Sequence, residues 1–234
     1  MIFDPLYFIL LAPAMLLAMW AQFKVKSAYA RAQQMPAPLS GAAAARHILD
    51  SAGLSNVEVE VTRGFLSDHY DPRHKVLRLS PEVYQSRTLA AVGIAAHEAG
   101  HAIQDARHYA PLIVRNAAVP LAATGGNISM FIFIIGMLMG GASTVTGTWM
   151  LIAGIALFSC VVFFQLVNLP VEFNASTRAK EVLAELQIVN AQDGVVVKKV
   201  LDAAAMTYVA ATISAILTLI YFLLRSGLLG GRRG

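Results

Sequence analysis

Two histidines four residues apart, with a glutamate directly after the first, stand at His97-Glu98-Ala99-Gly100-His101. On a helix this spacing projects both imidazoles from one face with roughly 6 Å of axial rise between them, so they can reach a single ion. Glu98, one step round the helix, can lie beside that ion without binding it. The chemistry this permits is peptide hydrolysis by attack of zinc-bound water on the scissile carbonyl. Glu98 would take the water's proton as general base and return it to the leaving amine as general acid. A pattern with three fixed positions also arises by chance, and a helix can carry two histidines for packing alone. Against packing stands the preceding run TLAAVGIAA, residues 88–96. It would bury one side of the helix, where two imidazoles and a carboxylate are costly without a partner such as a metal. Gly100, inside the motif, leaves room for a second backbone.

Catalytic zinc takes three protein ligands and keeps a fourth position open. The metzincin extension requires glycine at 104 and histidine at 107, where this chain has Gln104 and Arg107. His108 lies about 10 Å along the axis from His101 on a continuous helix, too far to share an ion. Glu172, in LPVEFNASTRAKEVL, is the candidate third ligand, just after Pro170, which is expected to start a helix. Its plain alternative is an acidic residue favoured in a first helical turn by the dipole. Asn174, Ser176 and Arg178 are candidates to hold the ligands in place, or else ordinary polar residues of a surface. His69, Tyr70 and Tyr208 are candidate donors to a developing oxyanion, with Tyr208 equally readable as an interfacial anchor.

The elements that position these residues are mostly apolar. The 234 residues are 57% hydrophobic and 14% charged, with a mean hydropathy of +0.60, which excludes an ordinary soluble domain. Four segments approach the roughly 20 apolar residues that cross a bilayer as a helix: Leu6 to Phe23, Ala117 to Met139, Thr148 to Leu169 and Ala203 to Leu224. The first is preceded by Asp4 and followed by Lys24, Lys26 and Arg31, the pattern of an uncleaved anchor with its N-terminus outside. The rival reading takes AYA, residues 28–30, as a cleavage site. Cys160 is the single cysteine and sits in an apolar run, so no intrachain disulfide forms and a thiolate metal site is disfavoured.

The net charge of +4 does not point to nucleic acid, because the basic residues flank apolar segments. Eleven Lys and Arg lie between Lys24 and Arg115, four between Pro170 and Asp202, and none in the hairpin GGASTVTG. Four spans then place both basic stretches, with His97, His101 and Glu172, on the cytoplasmic side. Arg225, Arg232 and Arg233 are left at an outer C-terminus, a conflict that a fourth segment dipping only into the interface would remove. The expected organisation is an anchor (1–23), a cytoplasmic domain (24–115), a transmembrane hairpin (116–169), a cytoplasmic helix (170–202) and a last transmembrane segment with its tail (203–234).

Within 24–115, Ser40 is expected to cap a helix that runs to about Ala52 and is closed by Gly53. VEVEV (57–61) and HKVLRLS (74–80) read as strands, and RGFLSDHYDPR between them as a loop. Ser80-Pro81 is expected to open a helix that continues through His97 and His101 to about His108. The fold class is thus mainly α, about four transmembrane helices with a small α+β cytoplasmic zincin-like domain. The apolar run before His97 is too short to bury the motif inside a span, which disfavours an intramembrane protease. Spans nearly empty of ionisable groups disfavour a transporter.

In order, SDHYDPRHKVLRLS, AAVGIAAHEAGHAIQ, LPVEFNASTRA and VLDAAAMTYVAA resemble the YugP-type family of bacterial neutral zinc metallopeptidases over nearly the whole chain. More distantly the chain is similar to the heat-shock membrane protease HtpX and the CAAX prenyl protease, gluzincins whose third ligand opens an E-x-x-A-D pattern. Here that stretch is Glu172-Phe173-Asn174-Ala175-Ser176, with Ser176 where those relatives carry aspartate. The resemblance implies one zinc per chain, endopeptidase activity on a peptide or membrane-protein substrate, and a cytoplasm-facing site at the bacterial inner membrane. It also suggests HKVLRLS as an edge strand that pairs with substrate backbone. The competing class is a non-catalytic membrane scaffold or assembly factor that keeps the fold. A retained Glu98 argues against it, since holding a metal does not require the base.

Overall fold

The computed structural model describes residues 4–64 and 67–228, the side chain of Asn127 excepted. Four of its helices are each long and apolar enough to cross a bilayer: α1 (Pro5–Gln33), α5 (Ala110–Leu138), α6 (Val145–Glu185) and α7 (Ala191–Ser226). All outrun the apolar segments that predict them, because the same helices continue into polar sequence. The chain divides into two compact units, one from the described parts of 1–19, 114–169 and 208–234, the other from 20–113 and 170–207.

In the first unit, Phe133 stacks on Phe222 with ring centroids 4.2 Å apart, beside the buried Leu151. Asp4, just ahead of α1, accepts from Arg225 Nε at 2.9 Å and from the Tyr221 hydroxyl at 3.0 Å, both near the end of α7. The C-terminal end of α7 therefore lies beside the N-terminal end of α1. Arg225, an unexplained cation in the sequence, has its carboxylate, and α7 is one continuous helix of 36 residues. Arg232 and Arg233 lie outside the described residues.

Pro170 does not start a helix. It lies inside the 41-residue α6, where it costs Leu166 its intrahelical donor while apolar sequence on one side and packed sequence on the other carry the helix through. Glu172 is therefore held in a helix interior rather than in a first turn.

The second unit contains α2 (Gly41–Ser51), a three-stranded sheet of β1 (Glu58–Val61), β2 (His69–Asp71) and β3 (Val76–Leu79), then α3 (Pro81–Gln85) and α4 (Leu89–Ala106). Ser40 caps α2 by accepting from the Ala43 N–H, and Gly53 closes it with φ +74, as the sequence predicts. The core joins Ile48 and Leu49 of α2, Leu77 and Leu79 of β3, and Val92, Ala95, Ala96 and Ala99 of α4. The apolar run ahead of His97 is thus the face that docks α4 on the sheet and on α2.

Three expectations change here. The segment read wholly as a loop contains β2, which pairs antiparallel with β3 in the register His69 with Arg78 and Asp71 with Val76; residues 65 and 66 lie outside the described residues. HKVLRLS is not an edge: the sheet order is β1-β3-β2, so β3 is flanked on both sides. The helix expected from Ser80 to about His108 is two helices. Thr88 breaks it, extended and capping α4 through the Ala91 N–H, while Met35 O accepts from Leu89 N and Pro36 bridges Thr88. At the far end Arg107 caps α4, and His108 adopts a left-handed φ of 50.

Candidate metal centre

His97 and His101 face the same way from α4, with ring centroids 4.8 Å apart and planes at 83°. Opposite them α6 supplies Glu172, whose Oε2 lies 3.2 Å from His97 Nε2 and 3.7 Å from His101 Nε2. The three donor atoms all lie within 4.8 Å of one another. His101 and Glu172 are buried. What lets α6 come so near is Gly100: a Cβ built there would sit 2.8 Å from the carbonyl oxygen of Ala175. The close backbone approach that the sequence suggests at Gly100 is therefore an approach to α6.

Each imidazole is oriented through its other nitrogen. Gln104, fully buried, gives its amide N–H groups to Val171 O at 2.8 Å and Asn174 Oδ1 at 3.0 Å. Both neighbours are acceptors, so the amide has one orientation and turns its Oε1 to His101 Nδ1, 2.9 Å away. His101 donates from Nδ1 and keeps the Nε2 lone pair toward Glu172. Arg178 Nε donates to the same Asn174 Oδ1 at 2.8 Å, closing the network. Ser176 Oγ lies 3.2 Å from His97 Nδ1, so a hydroxyl orients His97 even though it is not the aspartate of the distant relatives. Asn174, Ser176 and Arg178 all reach the site. Gln104 escaped sequence reading, where it served only to rule out a longer motif; its signal is the spacing of three from His101, which puts it on the same helix face.

Glu98 sits beside these donors without joining them. Burial pushes its carboxyl up to about 7, His97 opposes the rise, and Glu172 and Asp68 add to it. Asp68 in turn accepts from the N–H and hydroxyl of Ser80, at 2.7 and 3.0 Å, fixing the start of β2 against the end of β3.

The two proposed oxyanion donors on β2 differ. His69 is exposed and donates from Nδ1 to Ser67 O at 2.7 Å, so a second donation, from Nε2, requires the imidazolium. The Tyr70 hydroxyl donates to Asp105 at 2.8 Å, and Lys75 pairs with the same carboxylate at 2.5 Å. Burial and then that hydrogen bond hold the Tyr70 hydroxyl above the usual phenol range. Its proton is engaged with Asp105. Tyr208 belongs to the first unit, not to this one.

The donor set fits zinc: two imidazoles with their Nδ1 atoms engaged and one carboxylate bring one donor atom each within 4.8 Å of one another. A family model described as "Putative neutral zinc metallopeptidase" matches residues 7–227. A Bacillus subtilis (strain 168) protein described as "Putative membrane protease YugP" is 42% identical over 221 residues, which is 94% of this chain and 96% of that one. No solved structure matches.

Proposed function

The chain belongs to the neutral zinc metallopeptidase family whose model spans it, and from that premise we propose that it is an integral-membrane zinc-dependent endopeptidase. The observation that carries the reading is the meeting of His97, His101 and Glu172 from two separate helices, with Glu98 alongside. Those three residues would hold one zinc ion. Bound there, zinc supplies Lewis acidity to water and to the scissile carbonyl. Glu98 would accept the proton that water loses and pass it to the leaving amine. Of the two candidates on β2, His69 is the one we assign as donor toward the developing oxyanion. Of the two flanking strands, β2 carries that donor, so its outer side is the place for an extended peptide to pair.

The bilayer orientation proposed is the one with both basic stretches in the cytoplasm of a bacterial inner membrane. Fifteen Lys and Arg on that side against three on the other support it. Reaction of a cysteine introduced at the exposed Ser51 with a membrane-impermeant maleimide in intact cells would overturn this orientation.

The deciding experiment is elemental analysis of the detergent-purified chain beside Glu172→Ala and Glu98→Gln, with a peptidase assay on each. The expected result is one zinc in the parent and in Glu98→Gln, zinc lost or much weakened in Glu172→Ala, and proteolysis only in the parent. A Glu98→Gln chain that still supports the protein's role in cells would favour the scaffold reading.

A further inference from the structure

In the second unit, α1 and α7 enclose a groove of ≈ 440 Å³ well apart in sequence from the histidine motif. On α1 its wall is the stripe Trp20, Lys24, Ser27 and Arg31, spaced by three and four residues as one helix face. On α7 the wall runs from Val196 through Lys199 to Met206. Because the start of α1 pairs with the end of α7 through Asp4 and Arg225, the two helices are antiparallel. Trp20 and Met206 therefore mark one end of the groove, and Arg31 and Val196 the other, with Lys24 and Lys199 between. The groove is graded: aromatic and thioether surface where the helices enter their apolar stretches, cationic where they leave them.

The charge is unbalanced. No carboxylate among the described residues pairs with Lys24, Arg31 or Lys199, and all three are exposed. The one acid in the lining, Asp202, accepts from Lys180 and Lys198, so it offers no net counter-charge. Lys24 lies 5.6 Å from the centroid of the Trp20 ring, over the face that an interfacial tryptophan presents. From Trp20 to Arg31 is about 16 Å of helix, more than the roughly 5–8 Å of the interfacial zone on one side of a bilayer, so the stripe passes from the hydrocarbon edge through the headgroup level. Basic pockets between helices on the cytoplasmic side of a bilayer take anionic headgroups.

We propose that this groove binds an anionic phospholipid. Its phosphate lies among Lys24, Arg31 and Lys199, and its glycerol and upper acyl carbons lie against Trp20 and Met206. The inference rests on the helices crossing a bilayer and is independent of peptidase activity.

The chain has two tryptophans, so Trp149→Phe leaves Trp20 as the reporter. This protein is reconstituted in phosphatidylcholine nanodiscs doped with brominated phosphatidylglycerol or, at equal mole fraction, brominated phosphatidylcholine. The expected result is stronger Trp20 quenching by the brominated phosphatidylglycerol, the anionic lipid of the two. Each of Lys24→Gln, Arg31→Gln and Lys199→Gln should weaken that preference roughly fivefold, and the triple variant should abolish it. Lys26→Gln, at the same boundary but off the groove, should leave it intact. Equal quenching by both lipids, or a Lys26→Gln effect as large as that of Lys24→Gln, would overturn the site, the latter in favour of diffuse surface charge. Release by millimolar inorganic phosphate would overturn the lipid in favour of a soluble ligand. Failure to enter nanodiscs at all would overturn the membrane reading with it.

Discussion

Gln104 holds His101 by its Nδ1 at 2.9 Å while its own amide is anchored to Val171 and Asn174 on α6. One uncharged side chain thus orients a histidine of α4 and ties it to the helix that brings the Glu172 carboxylate.

Replacing Gln104 with Leu leaves the His101 Nδ1–H without its acceptor in a buried site and removes the tie to Val171 and Asn174 on α6. Zinc affinity is expected to fall by about 10- to 100-fold, read by competition with a chromophoric chelator. Unchanged affinity would show that packing alone aims His101.

Gly100→Ala gives a sign test. A solvent-facing glycine in a helix gains about 1 kcal/mol on becoming alanine. Here the added Cβ meets the Ala175 carbonyl at 2.8 Å, and both sides are backbone. Loss of about 1–3 kcal/mol is expected, together with weaker zinc binding as Glu172 is pushed from the histidines. Thermal melts with and without zinc measure both. A more stable variant would mean that α4 and α6 are not in this contact.

Ser176 supports opposite predictions. Ser176→Ala removes the partner of His97 Nδ1 and should weaken zinc binding by about tenfold, whereas Ser176→Asp makes that ligand more basic and should tighten it by a similar factor. The aspartate, buried and unneutralised without zinc, should lower the melting temperature of the metal-free chain. Equal effects of both variants on affinity would remove Ser176 from the role.

Away from the metal, hydrogen bonds from His74 and Arg78 hold the Asp71 carboxyl well below the usual carboxylate range, against burial. The folded value lies below the unfolded one of about 3.9, so the stabilisation is present above that pH and is lost as pH falls toward and through the folded value. Asp71→Asn should therefore lower stability by about 1 kcal/mol near pH 6, after allowance for solvent screening, and by nothing once the acid is protonated. Melting curves of both proteins from pH 6 downward test this: the gap must close toward low pH.

Much was legible in the chain itself. Hydropathy alone locates four long helices, since a bilayer-length run of apolar residues has few other uses. The spacing of His97 and His101, the Ser40 cap and the Gly53 stop depend only on local geometry, and the structure keeps them. The spacing also marked Glu172, but only as a residue on the right side of a predicted topology. What the sequence could not decide is everything set by contact between distant segments. Strand order made β3 central although both its neighbours precede it in sequence, β1 pairing parallel and β2 antiparallel. Pro170 stays inside α6 because flanking contacts outweigh the single hydrogen bond it removes. Gln104 acquires its meaning from Val171 and Asn174, about 70 residues away along the chain, and a buried amide is read only once its acceptors are in place.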